Sequence, residues 1–192
     1  MVGLGYAACI AAPSGGLCAR VATMPLALIR ARDKLLAGLA FVLGLATIAA
    51  AWGSQLIGGL YPCDLCLEQR WAYYLGLPLL LGILVLWNRL PLALWYVLIA
   101  IVAAIFLWGA YMGGYHAGVE WGFWPGPTSC TGTGVSISLS DLQNLNAARI
   151  VPCDKVQFRF LGLSLAGYNM LISLGIVGLL VGAMVAQARR RA

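Results

Sequence analysis

Residues 35–52 read LLAGLAFVLGLATIAAAW, and they lie inside a stretch from Lys34 to Asp64 with no charged side chain between its ends. A helix rising 1.5 Å per residue needs roughly 17–25 apolar residues to cross a bilayer, so this segment is long enough to span one. Outward from it the pattern recurs three times. Residues 71–87 are near the lower length limit and run into Asn88-Arg89, residues 92–111 follow, and residues 163–186 lie between Arg159 and Arg189. The sequence therefore predicts an all-α integral membrane four-helix bundle with two outward loops, 53–70 and 112–162. Pro78 falls inside the second span, which a membrane helix tolerates where neighbours satisfy the freed carbonyl.

Composition points the same way. Of 192 residues, 62% are hydrophobic and 9% are charged, against about 45–50% apolar and about 25% charged in soluble domains. That excludes a water-soluble surface, and the chain is too apolar for intrinsic disorder. Two other neutral stretches do not qualify as spans. Residues 121–140 contain Pro125, Pro127 and four glycines, the marks of a loop. Residues 1–19 are broken by Pro13-Ser14-Gly15-Gly16 and lack the basic start of a signal peptide. Residues 1–32 are read as an N-terminal extension to a four-helix domain at 33–192. Met24, just ahead of Arg30, Arg32 and Lys34, is the expected start of the protein, with residues 1–23 poorly ordered or untranslated.

The few charges set an orientation. Four spans put both termini and the Asn88-Arg89-Leu90-Pro91 turn on one side, which carries eight Lys/Arg against Asp33. The other side carries four Lys/Arg against five Asp/Glu, so the nets are +7 and −1 within the +6 of the chain. Lys and Arg collect on the cytoplasmic side. The termini are expected in the cytoplasm and the loops in a bacterial periplasm, with no role in nucleic-acid binding. Trp52, Trp71, Tyr73, Tyr74, Trp108, Tyr111, Trp121 and Trp124 fall near the outer boundary and Trp87 and Trp95 near the inner one, as interfacial anchors do.

Topology sorts the six cysteines. Cys9 and Cys18 lie in the extension, where thiols stay reduced, and are expected to be incidental. Cys63, Cys66, Cys130 and Cys153 lie in the outward loops, where an even count suggests disulfides. Three pairings are possible, and the local ones join Cys63 to Cys66 and Cys130 to Cys153. Pro62-Cys63-Asp64-Leu65-Cys66 is a C-x-x-C whose short ring adds little stability, so it makes more sense as a redox couple. Cys66 is expected in the first turn of the second helix, where unpaired amides and the dipole favour a thiolate.

Arg70 comes four residues later and shares a helix face with Cys66, placed to stabilise a thiolate or hold a polar ligand. The alternative is an arginine that snorkels to the interface. His116, the single histidine, is a candidate donor or proton relay or a merely solvated interfacial ring, and Glu120 offers the same choice more weakly. Zinc would need Cys130 and Cys153 as partners, and they are not a tight pair. Haem attachment would need His where Leu67 stands. No metal is expected. Between Cys130 and Cys153, Ser140 and Gln143 have capping-box spacing and Leu139, Leu142 and Leu145 recur every three residues, which predicts a short amphipathic interfacial helix. A static disulfide closing this loop is the alternative to a redox role for Cys130 and Cys153.

Pro62-Cys63-Asp64-Leu65-Cys66 with Gln69-Arg70 resembles the first periplasmic loop of the DsbB family. Gly126-Pro127-Thr128-Ser129-Cys130, with Cys153-Asp154 and Gln157-Phe158-Arg159-Phe160-Leu161-Gly162-Leu163-Ser164, resembles its second loop and the entry to its last helix. The resemblance covers residues 33–188, and Phe158 stands where the family often has Trp. It implies an inner-membrane enzyme that reoxidises a periplasmic DsbA-like thioredoxin-fold protein and passes the electrons to ubiquinone or menaquinone. On that basis Cys130 is attacked by the partner, Cys153 is released and engages Cys63, and Cys66 becomes a thiolate facing the quinone. Arg70 binds the quinone and lowers the Cys66 pKa, and His116 lies close to the ring. Two rivals remain at this level. A vitamin K epoxide reductase-like enzyme would carry its C-x-x-C at the outer end of the last span, and a non-catalytic tetraspan scaffold would use its disulfides only as staples.

Overall fold

The structure is a computed structural model that describes residues 32–127 and 151–191, all within the unit formed by residues 32–192. The N-terminal extension with Cys9, Cys18 and Met24, together with Cys130 and the segment 139–145 expected to be an interfacial helix, lies outside the described residues. Among the described residues four helices carry the fold: α1 (Arg32–Leu56), α2 (Asp64–Val85), α3 (Leu92–Glu120) and α4 (Leu165–Arg191). A two-stranded antiparallel hairpin, β1 (Arg159–Phe160) and β2 (Leu163–Ser164), precedes α4. Each helix packs on two others, α1 on α2 and α4, and α3 on α2 and α4, which closes a four-membered ring.

The outside of the ring is as apolar as its inside. Leu39, Val42, Val85, Val97 and Leu107 are all more than half exposed, a surface that water would not tolerate over this extent. Three helices, α1, α3 and α4, are long and apolar enough to cross a membrane. Helix α2 differs because Asp64, Glu68 and Arg70 occupy its first two turns, and its uncharged part starts only at Trp71.

Lipid provides no hydrophobic drive between helices, so their association rests on close packing and on hydrogen bonds. Ala37 and Ala40 of α1, Leu80 and Ile83 of α2, Ile99, Val102 and Phe106 of α3, and Ile176 and Leu180 of α4 form the buried core. Small residues set the closest approaches. A methyl group added at Gly113 would stand 2.9 Å from the Met170 amide nitrogen of α4, and one at Gly109 would stand 2.8 Å from the Ala72 side chain of α2.

Those glycines also explain where the helices outrun the expected spans. The expected third span ends at residue 111 and the loop begins at 112, yet α3 continues to Glu120. Gly113 and Gly114 are contact points against Met170, and Gly118 lies under Trp124, so packing overrides their low helix propensity. Helix α1 likewise runs to Leu56, and α2 already starts at Asp64, which takes both ends of the expected 53–70 loop into helix. The last helix starts two residues later than expected. Leu161 (φ 48°) and Gly162 (φ 83°) are both left-handed, the backbone of a two-residue hairpin turn, and they hold Leu163 and Ser164 in a strand. Ser164 Oγ then accepts from the Gly167 amide at 3.3 Å and caps α4. Three expected interfacial aromatics are buried instead: Trp87 and Trp95 pack edge to face at 5.2 Å, and Tyr73 is 3% exposed.

The contrast between glycines is testable. Gly113→Val is expected to destabilise the detergent-solubilised protein by about 1–3 kcal/mol, the usual cost of overpacking. Gly175, where an added methyl would meet nothing within 4 Å, should accept alanine with no loss. Thermal unfolding of the two variants reads both outcomes.

Candidate active site

The C-x-x-C folds as the start of a helix. Cys63 is the N-cap of α2, and its Sγ accepts the Cys66 amide at 3.3 Å. Cys66 therefore stands in the first turn, as the sequence reading expected. Both thiols are free, and their sulfurs are 2.6 Å apart, within reach of each other by side-chain movement alone. The short link shares one proton unequally. Its contact with Cys66 and then its burial push Cys63 well above the ordinary thiol value. Cys66 is held below it, first by the hydrogen bond from Cys63, against the opposing effect of burial. The Arg70 charge acts in the same direction but ranks below these contacts, and Glu120 opposes it. The sequence reading named the dipole and Arg70; of Arg70 and the neighbouring thiol, the thiol is the larger cause.

Arg70 does not snorkel. It is buried, donates from Nη1 to Gln55 Oε1 at 2.9 Å and from Nη2 to the Ala51 carbonyl at 3.3 Å, and lies 5.3 Å from the centroid of the Trp52 ring. All these partners are on α1, so Arg70 ties the start of α2 to its neighbour.

His116 is buried rather than solvated. Gln69 Nε2 lies 3.2 Å from the Leu65 carbonyl and 2.8 Å from His116 Nδ1. A carbonyl can only accept, so the amide nitrogen faces both groups and Nδ1 is an acceptor. The ring proton then sits on Nε2, which faces Cys63 Sγ at 3.7 Å and Glu120 Oε1 at 3.9 Å. The network extends inward. Asn169 Nδ2 donates to Gln69 Oε1 at 2.7 Å, and Tyr73 donates to Asn169 Oδ1 at 2.6 Å. Asn169 and Tyr73 were not singled out from sequence as site residues, and Gln69 was noted only as part of a motif. The signal was there in Asn169, an amide within an otherwise apolar span, since such groups are costly in a membrane unless paired.

Cys63, Cys66, Arg70 and His116 line one cavity of about 420 Å³, with Glu120 and Asn169 also on its wall. Cys153 is buried in a small cluster with Cys63 and Leu65, so the second loop reaches the C-x-x-C. Cys153 is disulfide-bonded, while Cys63 and Cys66 are free. The donor atoms of Cys63, Cys66 and His116 lie within 4.8 Å of one another. That set could hold a soft cation when both thiols are reduced, with His116 as the third donor in place of the other cysteines.

A dithiol, an arginine and a histidine around one cavity at the end of a membrane bundle suit thiol–disulfide chemistry, and sequence comparison agrees. Residues 33–183 match the family described as Disulfide bond formation protein DsbB. The chain belongs to the DsbB family. It is 34% identical over 161 residues to Disulfide bond formation protein B of Xylella fastidiosa (strain 9a5c), an alignment covering 79% of this chain and 89% of that protein. No solved structure matches the chain. As a DsbB-family member with three span-capable helices, it is a multi-pass membrane protein of disulfide bond formation.

The thiol pair predicts a reactivity order. In the reduced protein, Cys66 should be alkylated by iodoacetamide at pH values below the ordinary thiol range of about 8.5, while Cys63 resists until the solution is strongly alkaline. Because Cys63 is the larger cause, Cys63→Ala should raise the pH midpoint for Cys66 more than Arg70→Leu does. Mass-spectrometric labelling across pH reads both, and the reverse order would refute the assignment.

Proposed function

We propose that the protein is a quinone-dependent dithiol oxidase that reoxidises a periplasmic DsbA-like thioredoxin-fold protein and so supports disulfide formation in exported proteins. The observation that carries this reading is Cys66, a first-turn cysteine biased toward thiolate on the wall of a cavity shared with Arg70 and His116. The proposed setting is the bacterial inner membrane, with α2 as a fourth span and both termini cytoplasmic, as the +7 and −1 division of charge suggests.

The cavity fits the head group of ubiquinone or menaquinone. Its volume of about 420 Å³ falls within the roughly 300–1,000 Å³ of small-molecule sites, and its wall is apolar with a few convergent polar groups. A quinone bound there would supply a two-electron, two-proton acceptor. Arg70 and His116 Nε2 would offer hydrogen-bond donors to its carbonyl oxygens, and Cys66 would present sulfur to its ring.

The protein-side exchange balances as follows. A thiolate of the reduced partner attacks Cys130 of a Cys130–Cys153 disulfide, forming a mixed disulfide and releasing Cys153. Cys153 attacks Cys63 of an oxidised Cys63–Cys66 pair and releases Cys66 as a thiolate. The partner's second thiol then displaces Cys130 and leaves with the partner as a disulfide. Cys130 resolves the Cys153–Cys63 bond, restoring Cys130–Cys153 and leaving Cys63 and Cys66 as a dithiol that holds the two electrons. The burial of Cys153 with Cys63 supports the second step.

Quinone reduction by the reduced partner, measured on purified variants, tests the reading. Cys66→Ser should lower the rate by about a thousandfold or more, as loss of a reacting nucleophile does. Arg70→Ala should raise the KM for quinone about tenfold, the worth of one charge-assisted hydrogen bond. Unchanged rates in both variants would leave a disulfide-stapled scaffold as the better description.

A further inference from the structure

The far end of the bundle, where α2 hands over to α3 and α4 ends, holds a second cavity of about 180 Å³. It does not touch the C-x-x-C, and nothing said of it rests on the quinone reading. Trp87, Asn88, Leu92, Trp95, Gln187 and Arg190 line it, and its polar groups are mostly donors. Trp95 is 3% exposed, and its indole Nε1 has no hydrogen-bond partner among the described residues. An indole N–H can only donate, and one left buried without an acceptor forfeits its hydration with no hydrogen bond in return. Gln187 is 5% exposed. Its Oε1 accepts Arg190 Nη2 at 2.6 Å, which leaves its amide N–H group as the function still on offer.

Backbone geometry adds to the same field. Helix α3 is 29 residues long, starts at Leu92 on the cavity wall, and has Pro91 as an N-cap without any side-chain hydrogen bond. Its first amides and the positive end of its dipole therefore remain for an anion. One carboxylate is near: Asp33 Oδ2 lies 3.4 Å from Arg190 Nη2, but Asp33 is not on the cavity wall. It balances the guanidinium charge without supplying the acceptor that Trp95 lacks.

We propose that this cavity is an oxyanion site that takes a phosphate group, with Trp95 Nε1, the Gln187 amide and the first turn of α3 as donors. Its volume of about 180 Å³ is large enough to take a phosphate group. The same chemistry is available from an anionic phospholipid headgroup or from inorganic phosphate. The position, at the end of the apolar helices beside Arg89 and Arg189, resembles the basic pockets in which membrane proteins hold anionic headgroups.

Thermal unfolding of the full-length protein tests this in three arms: nanodiscs of phosphatidylglycerol, nanodiscs of phosphatidylcholine, and detergent with added inorganic phosphate. The expected result is a higher Tm in phosphatidylglycerol than in phosphatidylcholine. Phosphatidylglycerol affinity, read by native mass spectrometry, should fall about tenfold in Trp95→Phe, which keeps the ring but removes the N–H, and in Gln187→Leu. A response to inorganic phosphate that Trp95→Phe abolishes would support the same site with the free ion as its source. Equal Tm values in all three arms, or full lipid affinity retained in both variants, would overturn the proposal and leave a water-filled cavity.

Discussion

A side-chain amide inside an apolar bundle must find all its partners within the protein, and Gln69 is where this protein meets that demand. Its nitrogen serves the Leu65 carbonyl and His116, and its oxygen serves Asn169. One residue of α2 is thereby bonded to α3 and α4, and Arg70 beside it is bonded to α1. The position of each reactive group follows. His116 is oriented by Gln69, Cys66 sits one turn before Gln69 and Arg70 on the same helix, and the cavity is the space these fixed side chains leave. Since lipid drives no hydrophobic association between helices, such contacts weigh more here than in a soluble bundle, although each single bond remains modest.

Much of this was legible in the sequence, for physical reasons that differ from part to part. Three of the four apolar runs were readable because span length and charge exclusion are strong constraints. The C-x-x-C was readable because it stands immediately before the second apolar run, which places its second sulfur in a first helical turn. The end of α3 was not readable, since Gly113 and Gly118 signal a break locally and act as packing surfaces globally. Tyr73, Trp87 and Trp95 were assigned to the interface by composition, but their burial depends on which face each helix turns inward. Periodicity cannot settle that face when a helix is apolar all round. The hairpin before α4 was missed because only two residues, Leu161 and Gly162, encode it.

The electrostatics of the site follow the same division. That Cys66 favours its thiolate could be argued from helix position. That Cys63 does more than Arg70 to bring this about could not, because it depends on two sulfurs meeting across one turn. The carboxylate of Glu120 works against the thiolate from the same cavity wall, so the bias is a balance of neighbours rather than the mark of one residue.

The cap of α2 carries a cost of a different kind. Helix N-termini are best closed by the oxygens of Ser, Thr, Asp or Asn, and sulfur is a weak acceptor. At Cys63 the helix gives up part of its own anchorage so that a reactive atom can occupy the capping position. Serine there would hold the first turn at least as firmly while removing the chemistry. Selection for stability alone would thus pull this position away from cysteine, and what holds it there has to be reactivity.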